Sequence, residues 1–503
     1  MAHARKSGGG GGAGASGAAG GKRSGGRPSG TGAGGRRRFG AAGGSGGFGA
    51  PGSGSGGPRG FRGPNSPRGN GGWGDSGGTG PGAGAGQDPV PRRPVPENRG
   101  WRRAGVVITA LTAFTGMGLI AGPVSAAAAA PCALPRTDAH HSLGVDSWNG
   151  DYPRPIHTLN AAMVFLSFPD SRPKHTPRQL AADHFPATSD FFRRASYGRF
   201  RLRPHRLTHW IRMPASSRSY GIKRDWSAGG RAAYLRDAVA AADRKVDFSR
   251  YDLVYFVADP DARGVDSDAT KVVNFDEPID VDGTQLRRLV AVFEQSPPDR
   301  HVLAHETGHV FDLPDLYRRP GSGDGSGTDW DTYVGDWDLM GSQFGLAPEP
   351  FGWEKWKLGW LSRRNVSCVP AGPGGTTRTL YPLSRSPLGG ARDRRLMVVR
   401  TGMNEALAIE ARDSEGNDRG LCSSGVLLYR VRSDRASTDG PIKVIDGHPG
   451  TRACADSSVY PALADAPLNV GESYATKQGG GVRVRVTGRT GDGGWRVRVV
   501  RGR

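Results

Sequence analysis

The sequence predicts an α+β chain: a mixed domain over residues 136–362, a β-sandwich-like domain over 363–503, and a disordered region ahead of both. Three observations carry this. Of the 81 glycines in 503 residues, 38 fall in residues 1–100, alongside 14 Lys/Arg and only 3 Asp/Glu. From about residue 136, apolar runs of strand length alternate with helical spacing. Beyond 363 the pattern is period-two runs separated by Gly, Asp and Pro turns.

Residues 1–100 have almost no Leu, Ile or Val, so they cannot bury enough apolar surface to offset backbone entropy. They carry +11 of the net charge of +21; Arg102 and Arg103 take two more, which leaves +8 for residues 104–503. That balance is ordinary for a globular body and gives no reason to expect a specific nucleic-acid partner. Stretches such as Pro58-Arg59-Gly60-Phe61-Arg62-Gly63 would also suit an arginine-glycine arm for RNA, but the composition reads first as a solvated linker.

Residues 101–130 have the order of a secretory signal peptide. Arg99, Arg102 and Arg103 precede an uncharged run, residues 104–121; Gly122-Pro123 breaks it, and the small residues Val124-Ser125-Ala126-Ala127-Ala128 follow. The expectation is a secreted, extracellular protein. The alternative is a membrane anchor at 104–121 holding an extracellular domain, since the run is just long enough to span a bilayer. Cys132, Cys368, Cys422 and Cys454 form an even set in an exported chain, which favours disulfides with three pairings open. Placement favours Cys422 with Cys454 in the last domain, leaving Cys132 for Cys368.

In the mixed domain, Ala161–Phe168 reads as a buried strand and Thr188–Ser196 as a short helix with Phe191 and Phe192 inward. Phe200–Arg203 and His209–Met213 alternate like half-exposed strands, Arg231–Asp243 has helical spacing, and Asp252–Val257 is a second buried strand. Leu396–Arg400, Gly425–Val431, Gly481–Val486 and Gly494–Val499 are the strand-like runs of the last domain.

The informative segment is His301–Asp315, which contains His305-Glu306-Thr307-Gly308-His309. On a helix, residues four apart share a face, so His305 and His309 reach one metal ion, with Glu306 placed beside it as a general base. With 12 His and 10 Glu in 503 residues, chance produces HExxH in roughly 0.006 of such sequences. Zinc needs a third protein ligand and an open fourth position. Asp315, ten residues after His305 and past a helix end at Phe311–Leu313, is the candidate. Glu349 and Glu354, on a predicted helix Glu349–Leu358, are the alternatives, as solvated helix-face carboxylates. His301 is expected to pack or to stand behind the ligands; Tyr317 and Tyr333 are oxyanion candidates with a core or rim position as the default.

The spacing His305…His309…Asp315 with Met340 in Trp337-Asp338-Leu339-Met340-Gly341 is similar to the metzincin zinc signature with its Met-turn. One position departs: Asp312 stands where the pattern has Gly. Asp tolerates the left-handed backbone required there, so Asp312→Gly is expected to be tolerated or stabilising. Together with Ser196-Tyr197-Gly198-Arg199-Phe200 and Trp353-Glu354-Lys355-Trp356-Lys357-Leu358-Gly359-Trp360, these motifs resemble the immune inhibitor A family of secreted metalloproteases across residues 155–362. The resemblance implies a zinc endopeptidase acting on protein or peptide substrates, with His305, His309 and Asp315 on Zn2+ and Glu306 catalytic. It also implies Ca2+ sites. Asp170, Asp259, Asp261, Asp266, Asp268, Asp324, Asp329 and Asp331 are acidic enough for them, though most read as solvated loop residues and none is named a ligand. The competing class is a non-catalytic, exported, zinc-containing surface or adhesion protein.

Overall fold

The apolar run Ala161–Phe168 supplies the centre of β1 (His157–Ser167), on which the first half of the molecule is built. The computed structural model describes residues 132–139, 143–319, 330–387 and 393–502. The expectations for 1–100, 101–130 and 104–121, and for Asp324 and Asp329, lie outside them. After β1 come α1 (Pro177–His184), α2 (Ala187–Ala195), β2 (Phe200–Arg212), α3 (Ala228–Ala242) and β3 (Leu253–Ala258). A hairpin, β4 (Lys271–Val281) and β5 (Thr284–Val292), precedes α4 (Val302–Val310) and α5 (Gly352–Lys357). The strands form one sheet in the order β2-β1-β3-β5-β4. Its pairs are parallel except for β4, which runs antiparallel to β5 at the edge.

Side chains alternate across this sheet. Ala161, Met163 and Phe165 of β1 with Tyr255 and Val257 of β3 enter a core shared with Phe191 and Phe192 of α2 and Leu303, Ala304 and Val310 of α4. Ala162, Val164 and Leu166 with Val254, Phe256 and Ala258 enter a second core, closed by Tyr234, Leu235, Ala238 and Val239 of α3. A sheet covered on both faces needs apolar residues at every position, which explains the unbroken runs in β1 and β3.

The second half holds β6 (Val366–Cys368), β7 (Gly374–Leu380), β8 (Leu396–Arg400), β9 (Glu405–Arg412), β10 (Gly425–Arg432), β11 (Ile442–Ile445), β12 (Ser473–Thr476), β13 (Val482–Arg489) and β14 (Trp495–Arg501). They make two sheets, β11-β10-β9-β8-β6 and β12-β13-β14-β7. Met397, Val399, Leu407, Ile409 and Leu428 of the first share a core with Val482, Val484, Val486, Val497 and Val499 of the second. The other face of the five-stranded sheet, through Leu396, Val398, Ala406, Ala408 and Tyr429, belongs to the same core as α2 and α4. That inner sheet is buried on both sides. The four-stranded sheet exposes Arg483, Arg485, Arg496 and Arg498, hence its clean alternation of Val and Arg. Packing therefore crosses residue 362 without a gap, and the boundary expected there marks only a change in secondary structure.

The expected helix Glu349–Leu358 is shorter and begins at Gly352. Pro350 follows Glu349, and a residue before proline is disfavoured in the helical region. The disulfides are Cys132–Cys368 and Cys422–Cys454, with Cα atoms 5.6 and 6.0 Å apart. Two disulfides fit an extracellular protein. Among the described residues, no helix is long and apolar enough to cross a membrane.

Candidate metal centre

Helix α4 is pinned to the first sheet by Tyr255, whose hydroxyl lies 2.9 Å from Thr307 Oγ1. It ends as Asp312 turns into the left-handed region at φ 65°, and the Leu313 N–H closes back on the Gly308 carbonyl at 3.1 Å. This reversal returns the chain so that Asp315 lies against the helix face it has just left. Asp315 Oδ1 is 3.3 Å from His305 Nε2 and 3.1 Å from His309 Nε2. Among the described residues, these three side chains form the one group able to hold a metal ion, with candidate ligand atoms all within 4.8 Å of one another.

The outer contacts orient the ligands. His305 Nδ1 is 2.9 Å from the Leu339 carbonyl and His309 Nδ1 is 2.8 Å from that of Leu313. A ring whose Nδ1–H donates to a carbonyl presents its Nε2 lone pair to the site. Asp315 Oδ1 is buried and faces the two Nε2 atoms. Three acceptors thus converge on one point, and that donor set fits a divalent cation. The electrostatics agree. Burial works against charge on His309, yet Asp315 pulls its pKa up to about 9. Burial alone would raise the Asp315 carboxyl, but the His309 and His305 rings hold it well below the carboxylate range. The pocket calls for positive charge, which a metal ion supplies without a proton.

Glu306, 8 % exposed, accepts the backbone N–H of Val272 on β4 at 2.6 Å. Burial pushes its pKa up, while His309 and His305 pull it down. Beneath the helix, a Cβ on Gly308 would stand 2.5 Å from Met340 Sδ, so only glycine admits the close approach of Met340. Asp338 fastens that segment: its carboxylate accepts the N–H groups of Met340 and Phe351, both at 2.7 Å. From the far half of the chain, Ser437 accepts the Asp315 N–H at 2.9 Å and donates to Asp315 Oδ2 at 3.3 Å.

Several expectations change. Glu349 and Glu354 are buried, not solvated, and neither belongs to the metal group. Glu349 pairs with the buried amine of Lys355. Burial raises Glu354 well above the carboxylate range and neighbouring Asp338 raises it further; a protonated carboxyl is a poor metal ligand. Asp312 is also more than a tolerated turn residue. Its buried carboxylate meets Lys357 Nζ at 2.8 Å and accepts the Asn149 N–H at 3.2 Å. His301 packs its ring 5.3 Å from Phe191, and burial with Arg300 nearby lowers its pKa to about 4. Tyr317 sits 5.4 Å from the Trp330 ring, and Tyr333 carries Lys443 Nζ over its ring at 3.9 Å. Asp170 accepts Ser217, Asp261 accepts the Lys174 N–H, and the Asp266 and Asp259 carboxylates accept local N–H groups. Val272, Ser437 and Lys357 are the contributors that sequence reasoning missed. No protein-family model and no curated protein sequence matches the chain.

Proposed function

We propose that the protein is a secreted zinc-dependent endopeptidase with a metzincin-like catalytic region, related in kind to the immune inhibitor A metalloproteases. The observation that carries this reading is the meeting of His305 Nε2, His309 Nε2 and Asp315 Oδ1 with Glu306 one residue along the same helix. Two imidazoles and one carboxylate are a donor set suited to zinc, and three protein ligands leave a fourth position open. Zinc bound there supplies a Lewis acid that polarises a carbonyl and acidifies water. Glu306 takes the proton from the attacking water and passes it to the leaving amine. Met340 and Gly308 hold the floor of the site, and the Leu339 and Leu313 carbonyls fix the two rings.

The test is metal analysis with casein digestion, each repeated after chelation, on wild type and Glu306→Gln. The variant should keep stoichiometric zinc and lose at least about a hundredfold in rate, the scale of general-base catalysis. Stoichiometric zinc with no hydrolysis by the wild type would instead mark a surface or adhesion protein with structural zinc.

A further inference from the structure

A cavity of about 490 Å³ shares a wall with the metal centre: Val272, whose N–H holds the Glu306 carboxylate, lines it. The rest of its lining includes Arg224, Arg231, Lys271 and Arg319 against a single carboxylate, Asp225. Arg319 reaches Asp225 at 3.6 Å, both side chains being exposed. Among the described residues, no carboxylate lies within ion-pairing distance of Arg224, Arg231 or Lys271. Neutral groups hold them instead. Arg231 Nη1 donates to the Trp226 carbonyl at 2.6 Å, Lys271 Nζ donates to the Arg224 carbonyl at 2.7 Å, and the Arg224 guanidinium lies 4.9 Å from the Trp330 ring. Buried Trp226, also in the lining, leaves its indole N–H without an acceptor. Burial lowers the Lys271 pKa and Arg231 lowers it further, against an opposing pull from Glu306 and Asp225.

Like charges gathered in a recess repel one another, and a bound anion relieves them. We propose that this cavity is the subsite that selects an acidic side chain, Asp or Glu, beside the scissile bond of a peptide substrate. The inference rests on the peptidase reading for its substrate class and on the cavity for its charge preference. The carboxylate would draw on fixed donors from Arg231 and Lys271, with Arg224 and Arg319 at the rim adding field. Because β4 carries both Lys271 and the Val272 contact to Glu306, occupancy of the cavity places the neighbouring peptide at the metal.

The experiment uses peptides of about ten neutral residues in which a single Glu replaces Gln at each position in turn. Their binding to zinc-loaded Glu306→Gln is read by fluorescence anisotropy, and kcat/KM is measured on the wild type. At one position, Glu should bind and be cleaved at least about tenfold better than Gln, with the ratio shrinking in high salt. Arg231→Gln should cut the ratio at least about threefold, and Arg231→Gln with Lys271→Met should bring it within about twofold. Non-specific attraction to basic residues elsewhere favours Glu equally at every peptide position, so only the excess at one position over the others is counted. Equal binding of Glu and Gln peptides at every position, or a preference that persists in the double variant, overturns the inference. A binding preference without hydrolysis by the wild type would remove the peptidase reading and leave the acidic subsite standing.

Discussion

Asp312→Gly restores the residue that the zinc-signature pattern carries at this position, yet the packing predicts that it destabilises the protein. Two effects compete. Glycine relieves left-handed strain at φ 65°, worth about 1 kcal/mol for a residue as tolerant as Asp. It also removes the carboxylate 2.8 Å from Lys357 Nζ, where both side chains are at most 2 % exposed. Stripping one partner from a buried pair costs about 3–5 kcal/mol, because the other charge stays desolvated. Lys357 keeps the carbonyls of Gly144 and Asp312, which places the loss at the lower end. The net expectation is about 2–3 kcal/mol of destabilisation, read as a fall in urea midpoint at unchanged slope. Asp312→Asn keeps the turn and the Asn149 contact and should lose less. Asp312→Gly in a Lys357→Met background should recover most of the deficit, since an apolar replacement leaves no stranded charge. A single Asp312→Gly variant as stable as wild type would refute the reasoning.

Three further outcomes follow from the same geometry. Asp315→Ala should lose its metal on dialysis, whereas Glu349→Ala and Glu354→Ala should retain it in the folded fraction and lose stability; metal content and unfolding curves on each separate the two roles. Ser437→Ala should leave the fold intact and weaken metal binding at the candidate site about 10–100-fold, the usual effect of removing an outer partner, and an unchanged competition titration would exclude it. His184 is buried and its pKa is lowered to about 4 from 6.5, so the unfolded chain binds the proton first as pH falls. Its contribution, of order 3 kcal/mol, is present above about pH 6.5 and lost on going down through about pH 4. His184→Gln should flatten stability against pH in that window, and identical slopes for both proteins would contradict this.

What the sequence made legible is what short-range pattern encodes. The unbroken runs in β1 and β3 announce a sheet covered on both sides, and the four-residue spacing of His305 and His309 announces one face of a helix. The β4–β5 hairpin is also marked locally: Asp282 and Gly283, with φ 52° and 70°, form the Asp-Gly turn typical of such hairpins. Helix α1 carries a start signal of its own, a capping box of Thr176 and Gln179 with Pro177 at its first position. Those signals are local and readable. The partners of Asp312 and Asp315 are of another kind. Lys357 and Ser437 lie 45 and 122 residues away, and no periodicity says which distant side chain meets which. Glu349 and Glu354 misled for the same reason: carboxylates are solvated by default, and only tertiary packing shows that these two are buried.

The β-rich half is therefore part of the candidate metal centre and not an appendage to it. Ser437 contacts Asp315 through both its N–H and its carboxylate, and the Thr438 N–H donates to the Asp315 carbonyl at 3.1 Å. The segment under the helix is held from the same side. Arg412 of β9 reaches the carbonyls of Trp337, Ala347 and Glu349 while its charge is balanced by Glu410 and Asp418, and the Trp337 indole donates to the Leu463 carbonyl at 2.7 Å. A metal site needs its ligands within a fraction of an ångström of their working positions, and side chains hold such positions only when their own neighbours are fixed. Helix α4 can set two ligands by itself, because four-residue spacing is intrinsic to a helix. The third candidate ligand sits in a stretch without regular structure, so its precision must come from elsewhere. Here it comes from a loop between β10 and β11, carried by a sheet buried on both faces.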